Sequence, residues 1–230
     1  MKKYHYIIII CILASLNAQS QSVKNVGVIP KLNIKKKFET LWSINLEIAP
    51  RIELLEGSEL STLENSTFYT LTDITTVVSR TVGVSNSVGM GYLTRIEEDQ
   101  STAHRFIQQY VLIDYKDTHR IAHRFRTDQT FRKGGVPTFR ARYRISSDIA
   151  LRGQTVDPNE FYFKISNEYL GILRDQANDI EIRLTPTLGY NFKNKNKVEV
   201  GLDYRIDSFI NSNPDPVSYT HLTLPTICSV

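Results

Sequence analysis

Arginines recur at every second position in two stretches of the chain, Arg124 and Arg126, then Arg140, Arg142 and Arg144. Carboxylates stand nearby in sequence: Asp128 beside the first pair, then Glu168, Glu181, Glu199, Asp203 and Asp207, with Glu39 and Glu47 ahead of them. Side chains two residues apart share one face of a β-strand. The spacing therefore predicts a ladder of guanidinium groups on one surface of a sheet, with acids on the strands that follow. Such a surface can do three things. It can form a plug of salt bridges that stiffens a narrow lumen. It can act as a charged constriction that selects small ions. It can bind an anionic ligand through its forked donors.

Hydrolysis is the other chemistry to weigh. His104, His119 and His123 are each followed by arginine. A catalytic triad needs a nucleophile and an orienting acid within hydrogen-bond reach of the histidine. Ser146, Ser147, Ser166 and Thr127 are the candidate nucleophiles. The sequence holds no GxSxG, no HExxH and no spaced Cys/His cluster, and Gly134-Gly135 reads as a turn rather than a phosphate loop. His123 falls on the apolar face of its strand and reads as an interfacial polar aromatic. No catalytic residue, cofactor or metal is expected.

The elements that carry these residues are strands. Apolar and polar residues alternate with period two: Phe38, Thr40, Trp42, Ile44, Leu46 and Ile48 against Glu39, Leu41, Ser43, Asn45 and Glu47. The same pattern puts Phe139, Ala141, Tyr143 and Ile145 opposite Arg140, Arg142 and Arg144. It puts Phe161, Phe163, Ile165 and Tyr169 opposite Lys164, Ser166 and Glu168. Nine strands follow, at roughly 38–54, 66–81, 87–97, 104–115, 119–131, 138–150, 160–171, 180–192 and 197–207. Short turn-rich connectors such as Lys116-Asp117-Thr118 and Asp157-Pro158-Asn159 join them as antiparallel hairpins.

Composition narrows the classes. The chain has 230 residues, 41% hydrophobic and 23% charged, with a formal net charge of +4. Its charge density excludes most disorder, and its apolar runs are too short for membrane helices. Met1 to Ala18 reads as an export signal, with Lys2 and Lys3 ahead of an apolar stretch and cleavage after Leu16-Asn17-Ala18. Removing those two lysines leaves the balance only mildly basic, which gives no case for nucleic acid. The two cysteines, Cys11 and Cys228, lie at the extremes, so no disulfide framework is expected.

A soluble sandwich also alternates. Three features favour an antiparallel up-and-down transmembrane β-barrel: long strands, aromatics such as Phe38, Tyr69, Tyr115, Phe131, Phe161, Tyr190 and Phe192 near strand ends, and a polar face rich in opposite charges. The chain also resembles the bacterial outer-membrane family known as domain of unknown function 2490. The likeness lies in Trp42, Gly91-Tyr92, His104-Arg105 with Gln108-Gln109, Arg124-Phe125-Arg126, Arg140-Ala141-Arg142-Tyr143-Arg144, Glu168, Gly189-Tyr190 and Glu199-Val200-Gly201-Leu202-Asp203-Tyr204. It implies an outer-membrane barrel and no assigned activity.

The expected organisation is a signal at 1–18, a lead-in at 19–37, an incomplete barrel at 38–213 and a tail at 214–230 that resembles translated sequencing-adapter sequence. Nine strands is an odd number. Bacterial single-chain barrels have an even one, so a tenth, closing strand is expected to be missing. The function expected is an outer-membrane barrel of unassigned, non-enzymatic role with a charge-filled lumen. A narrow ion or small-solute channel and a lipid-acting hydrolase are the alternatives. Lumen-lining or ligand-binding residues are Arg124, Arg126, Arg140, Arg142, Arg144, Glu168, Glu181, Glu199 and Asp203. The expected partners are outer-membrane lipid and the barrel-assembly machinery, with oligomeric state open.

Overall fold

The computed structural model describes residues 25–56, 64–115, 119–174, 177–194, 196–207, 215–223 and 227–229. The expected export signal at 1–18 and the connector at 116–118 lie outside them. Ten strands follow one another as antiparallel neighbours: β1 (Asn25–Lys37), β2 (Trp42–Glu56), β3 (Glu64–Thr81), β4 (Asn86–Glu97), β5 (Ala103–Tyr115), β6 (His119–Arg132), β7 (Thr138–Ala150), β8 (Glu160–Arg174), β9 (Ala177–Asn191) and β10 (Lys197–Asp207). No helix occurs among the described residues. This is the all-β, up-and-down order that the alternation predicts. The ten strands run from 11 to 18 residues, well beyond the soluble mode of about 5–6.

Three expectations change. The segment read as a lead-in contains a strand, β1, paired with β2 from Asn25↔Glu56 to Lys37↔Ser43. Its alternation was hidden because Ile29, Lys31, Asn33 and Lys35 share the inward face, mixing an apolar residue with lysines. The strand expected to open at Phe38 opens instead at Trp42. Phe38 N–H donates to Trp42 O at 2.9 Å, and Leu41 takes φ of 62°, so residues 38–41 form a turn. Glu39, expected on the inward face, is exposed in that turn.

The third change concerns closure. Asp215–Thr223 forms β11, in a segment expected to carry no strand. It pairs antiparallel with β10, from Asp207↔Asp215 to Glu199↔Thr223, and parallel with β1, from Val26↔Ser218 to Lys31↔Thr223. A short β12 (Ile227–Ser229) continues along β1 with Ile34↔Ile227. Pro216 sits near the start of β11, where loss of one ladder donor is tolerated. Ten antiparallel strands are thus followed by an eleventh that meets β1 in parallel. The sheet joins itself, and the paired stretches of β1 and β10 present no free edge.

The two faces are sorted in reverse of a water-soluble domain. Large apolar residues face outward: Phe106, Phe125, Phe161, Leu188 and Met90 are each about half exposed or more. Among the described residues eleven polar or charged ones are buried, against nine apolar ones. Aromatic groups gather towards both ends of the strands. Phe161, Tyr190 and Phe192 stack at 4.8 and 4.7 Å towards one end. Tyr92, Phe106 and Phe131 stack at 5.3 and 6.2 Å towards the other.

Inside, Tyr162 is 1% exposed and lies over Gly189, its cross-strand neighbour. A Cβ on Gly189 would overlap the tyrosine ring. The same ring donates its hydroxyl to Glu199 Oε1 and receives Lys197 Nζ at 5.0 Å from its centroid. The glycine is what lets this aromatic lie flat between β8 and β10. Gly189→Val should overpack the site and cost about 1–3 kcal/mol. The midpoint of urea unfolding reads this, and an unshifted midpoint would show that Tyr162 has room to move.

Candidate functional site

Strand register sets the arginine ladder. In β6 and β7, Arg124 stands opposite Arg144, Arg126 opposite Arg142 and Asp128 opposite Arg140. In β8, Glu168 stands opposite Arg144, and in β9 Arg183 stands opposite Glu168. Arg205 of β10 faces Arg183. The arginines among them line a central cavity of about 610 Å³ that also receives Lys31, Glu47, Arg51, Arg95, Arg105 and Glu181. Arg124, Arg126, Arg140, Arg142 and Arg144, expected on the inward face, all line this cavity.

Opposed like charges are costly. Two unit charges about 5 Å apart repel by roughly 3 kcal/mol at an effective dielectric of 20. Two carboxylates offset most of this. Asp128, 1% exposed, accepts Arg140 Nε at 2.8 Å, and Arg142 Nε and Arg105 Nε lie 3.1 and 3.4 Å away. Glu168, also 1% exposed, accepts Arg144 Nε at 2.8 Å and Arg124 at 3.0 Å, with Arg183 and Arg142 at 3.6 and 3.8 Å. Arg142 thus touches both acids.

The remaining acids are spoken for locally. Glu181 pairs with Arg183 two residues on. Asp203 accepts Arg205 at 2.6 Å and Thr185 Oγ1 at 3.4 Å. Asp73 and Arg95 form a two-bond pair at 2.7 Å. Glu199 sits apart from the ladder and accepts Lys164 at 3.0 Å and Tyr162.

The expected picture of a guanidinium ladder followed by acidic strands needs correction. Acids and bases are interleaved: Asp128 stands on a basic strand, while Arg183 and Arg205 interrupt the acidic ones. Sequence reading underweighted Asp128, Arg105, Arg183, Arg205 and Lys31. Arg183 and Arg205 were visible through their period-two spacing from Glu181 and Asp203. Lys31 was hidden with β1, and Arg105 shares its face with the apolar Ala103 and Ile107.

Arg126 differs from the rest of the ladder. Its Nε, like that of Arg142, is sealed from solvent without a hydrogen-bond partner, but Arg142 pairs with Asp128 whereas Arg126 has no ion pair among the described residues. Around it, Arg105, Arg124, Arg140, Arg142, Arg144 and Arg183 share the oxygens of Asp128 and Glu168. The cluster carries more positive than negative charge.

The histidines lie elsewhere. His123 and Tyr143, on the outer face, stack and approach at 2.9 Å between Nδ1 and the hydroxyl. His104 and Tyr92 do the same at 2.6 Å. Among the described residues no serine or acid is bonded to His123, and no His/Cys/Asp/Glu group is arranged to hold a metal ion.

Removing a buried acid should expose how much the arginines depend on it. Glu168→Gln leaves Arg124 and Arg144 without their counter-charge, while Arg142 keeps Asp128 and Arg183 keeps Glu181, and should cost about 3–5 kcal/mol. Arg144→Gln should cost less, because Glu168 keeps Arg124. Denaturant midpoints of the two variants give the order, and equal midpoints would mean the pairs act independently.

Comparison with known proteins adds a family and no chemistry. No curated protein and no solved structure matches the chain. Residues 28–214 match the family described as protein of unknown function (DUF2490). That span starts inside β1, ends before β11 and takes in the whole arginine-lined interior, and the chain belongs to this family.

Proposed function

We propose that this chain is a non-enzymatic outer-membrane β-barrel of structural or binding role, whose lumen is filled by paired charge. The observation that carries the reading is the reversal of the two faces. A sheet that turns phenylalanine and leucine outward and buries Asp128 and Glu168 is matched to an apolar surrounding solvent. Closure supports it as well, because a sheet in lipid cannot leave backbone groups unpaired at an edge. Lipid is then the main partner of the outer face, and the barrel-assembly machinery is the partner during insertion. The export signal read at residues 1–18 fits that route.

A narrow channel is the second reading, favoured by the cavity of about 610 Å³ and its surplus of cations. Single-channel recording in planar bilayers separates the two. A plugged barrel stays silent, and a channel of this lining passes anions in preference to cations. Among the described residues the hydrolase reading has no assembled triad to rest on, since His123 is engaged by Tyr143.

The single tryptophan makes the membrane test direct. Trp42 opens β2, is 43% exposed, and has the Arg80 guanidinium 5.7 Å from its ring. That is the place of an interfacial anchor. In vesicles, its fluorescence should be quenched more by lipid brominated near the headgroup than by lipid brominated near the chain end. Fluorescence that neither lipid quenches contradicts membrane insertion. Phe125 lies midway along β6 and faces outward. Phe125→Arg should weaken folding into bilayers by about 2–4 kcal/mol, read from urea titration in vesicles; an unchanged titration would place this face away from lipid.

A further inference from the structure

We infer that the lumen holds a small, soluble oxyanion of the phosphate class, gripped by Arg126 and its neighbours Arg142 and Arg124. Three observations meet at this point. Among the described residues Arg126 has no ion pair, and its Nε is closed off from solvent without a hydrogen-bond partner. It lines the central cavity, so its free donors have space beside them. The acids next to it, Asp128 and Glu168, are already shared among six other arginines.

Lys31 lines the same cavity, also without an ion pair, and feels the charges of Glu47 and Arg144, as Arg126 does. Glu47 acts on both cations but pairs with neither; it accepts Asn33 Nδ2 at 3.3 Å. Water can fill the cavity and solvate these groups, yet it brings no negative charge. An anion does. Guanidinium groups on opposed strands offer forked, planar donors, which suit a tetrahedral oxyanion better than chloride. The cavity is lined by residues of β1 to β7, β9 and β10 and lies on the inner face of the sheet, which suits a free oxyanion better than one attached to acyl chains.

This inference rests on the closed lumen and not on the membrane. The Trp42 measurement can fail while anion binding stands, and the reverse is equally possible. The test uses the full chain folded in detergent micelles. Thermal unfolding is followed as inorganic phosphate replaces chloride at constant ionic strength.

The parent should show a saturable rise in its transition temperature. Arg126→Gln should unfold at or above the parent temperature without phosphate, because a repulsive charge is gone. It should also lose the phosphate-dependent rise, with affinity at least tenfold weaker. Arg120→Gln should keep the rise, since Arg120 is paired with Asp148 at 2.9 Å away from the cavity lining. Should Arg126→Gln fail to fold, Arg126→Lys keeps the charge and removes the fork, and should bind phosphate several-fold more weakly. No saturable rise in the parent overturns the inference. So does full phosphate response in Arg126→Gln, unchanged affinity in Arg126→Lys, or competition by a short-chain phosphatidic acid.

Discussion

Two carboxylates, Asp128 and Glu168, hold the interior of this protein together. Each is almost wholly withdrawn from solvent, and between them they contact Arg105, Arg124, Arg140, Arg142, Arg144 and Arg183. These contacts do more than offset charge. Among the described residues the buried apolar side chains that cluster are Ile29 and Ala49, the other buried ones being scattered, so hydrophobic packing has little hold on strand register. A slip of one residue would turn every arginine outward and every phenylalanine inward. Asp128 opposite Arg140 and Glu168 opposite Arg144 make that slip expensive, because it would strip two buried acids of their partners. Charge pairing here does the work that a core does in a soluble domain.

The outer surface follows from the same inversion. With the charges satisfied inside, the faces left over are rows of Phe, Tyr, Leu, Ile and Val. In water such a surface would drive association. Surrounded by hydrocarbon, it meets a solvent like itself, and the aromatic groups at the two strand ends meet the boundary. The proposed membrane setting, the closed sheet and the polar interior are therefore one physical arrangement rather than three separate traits. The surplus of positive charge around Arg126 is where that arrangement is left unbalanced, which is why an anion is placed there.

Much of this was legible in the sequence. Period-two alternation placed Arg140, Arg142 and Arg144 on one face and Phe139, Tyr143 and Ile145 on the other, and the structure agrees. Alternation failed where a face mixes types. In β1, Ile29 shares the lumen with Lys31 and Lys35, so the strand read as a lead-in. It also failed where apolar residues continue into a turn, as at Phe38 to Leu41, because periodicity carries no information on the positive φ of Leu41. The pairing of Asp128 with Arg142 and of Glu168 with Arg124 was out of reach, since contacts across strands depend on register and period fixes only the face. Missing β1 also changed the strand count behind the parity argument, since the antiparallel strands up to β10 number ten and not nine.

The central claim is that charge faces in and apolar surface faces out towards lipid. Spin labels placed one at a time along β7 and β8 in vesicles test it most directly, by comparing accessibility to oxygen, which partitions into lipid, with accessibility to a water-soluble nickel chelate. Labels at 139, 141, 143, 145, 161, 163, 165 and 169 should be open to oxygen, and labels at 140, 142, 144, 162, 164, 166 and 168 should be shielded from it. Accessibility that shows no alternation, or oxygen access at 140, 142 and 144 with none at 139, 141 and 143, would contradict the account.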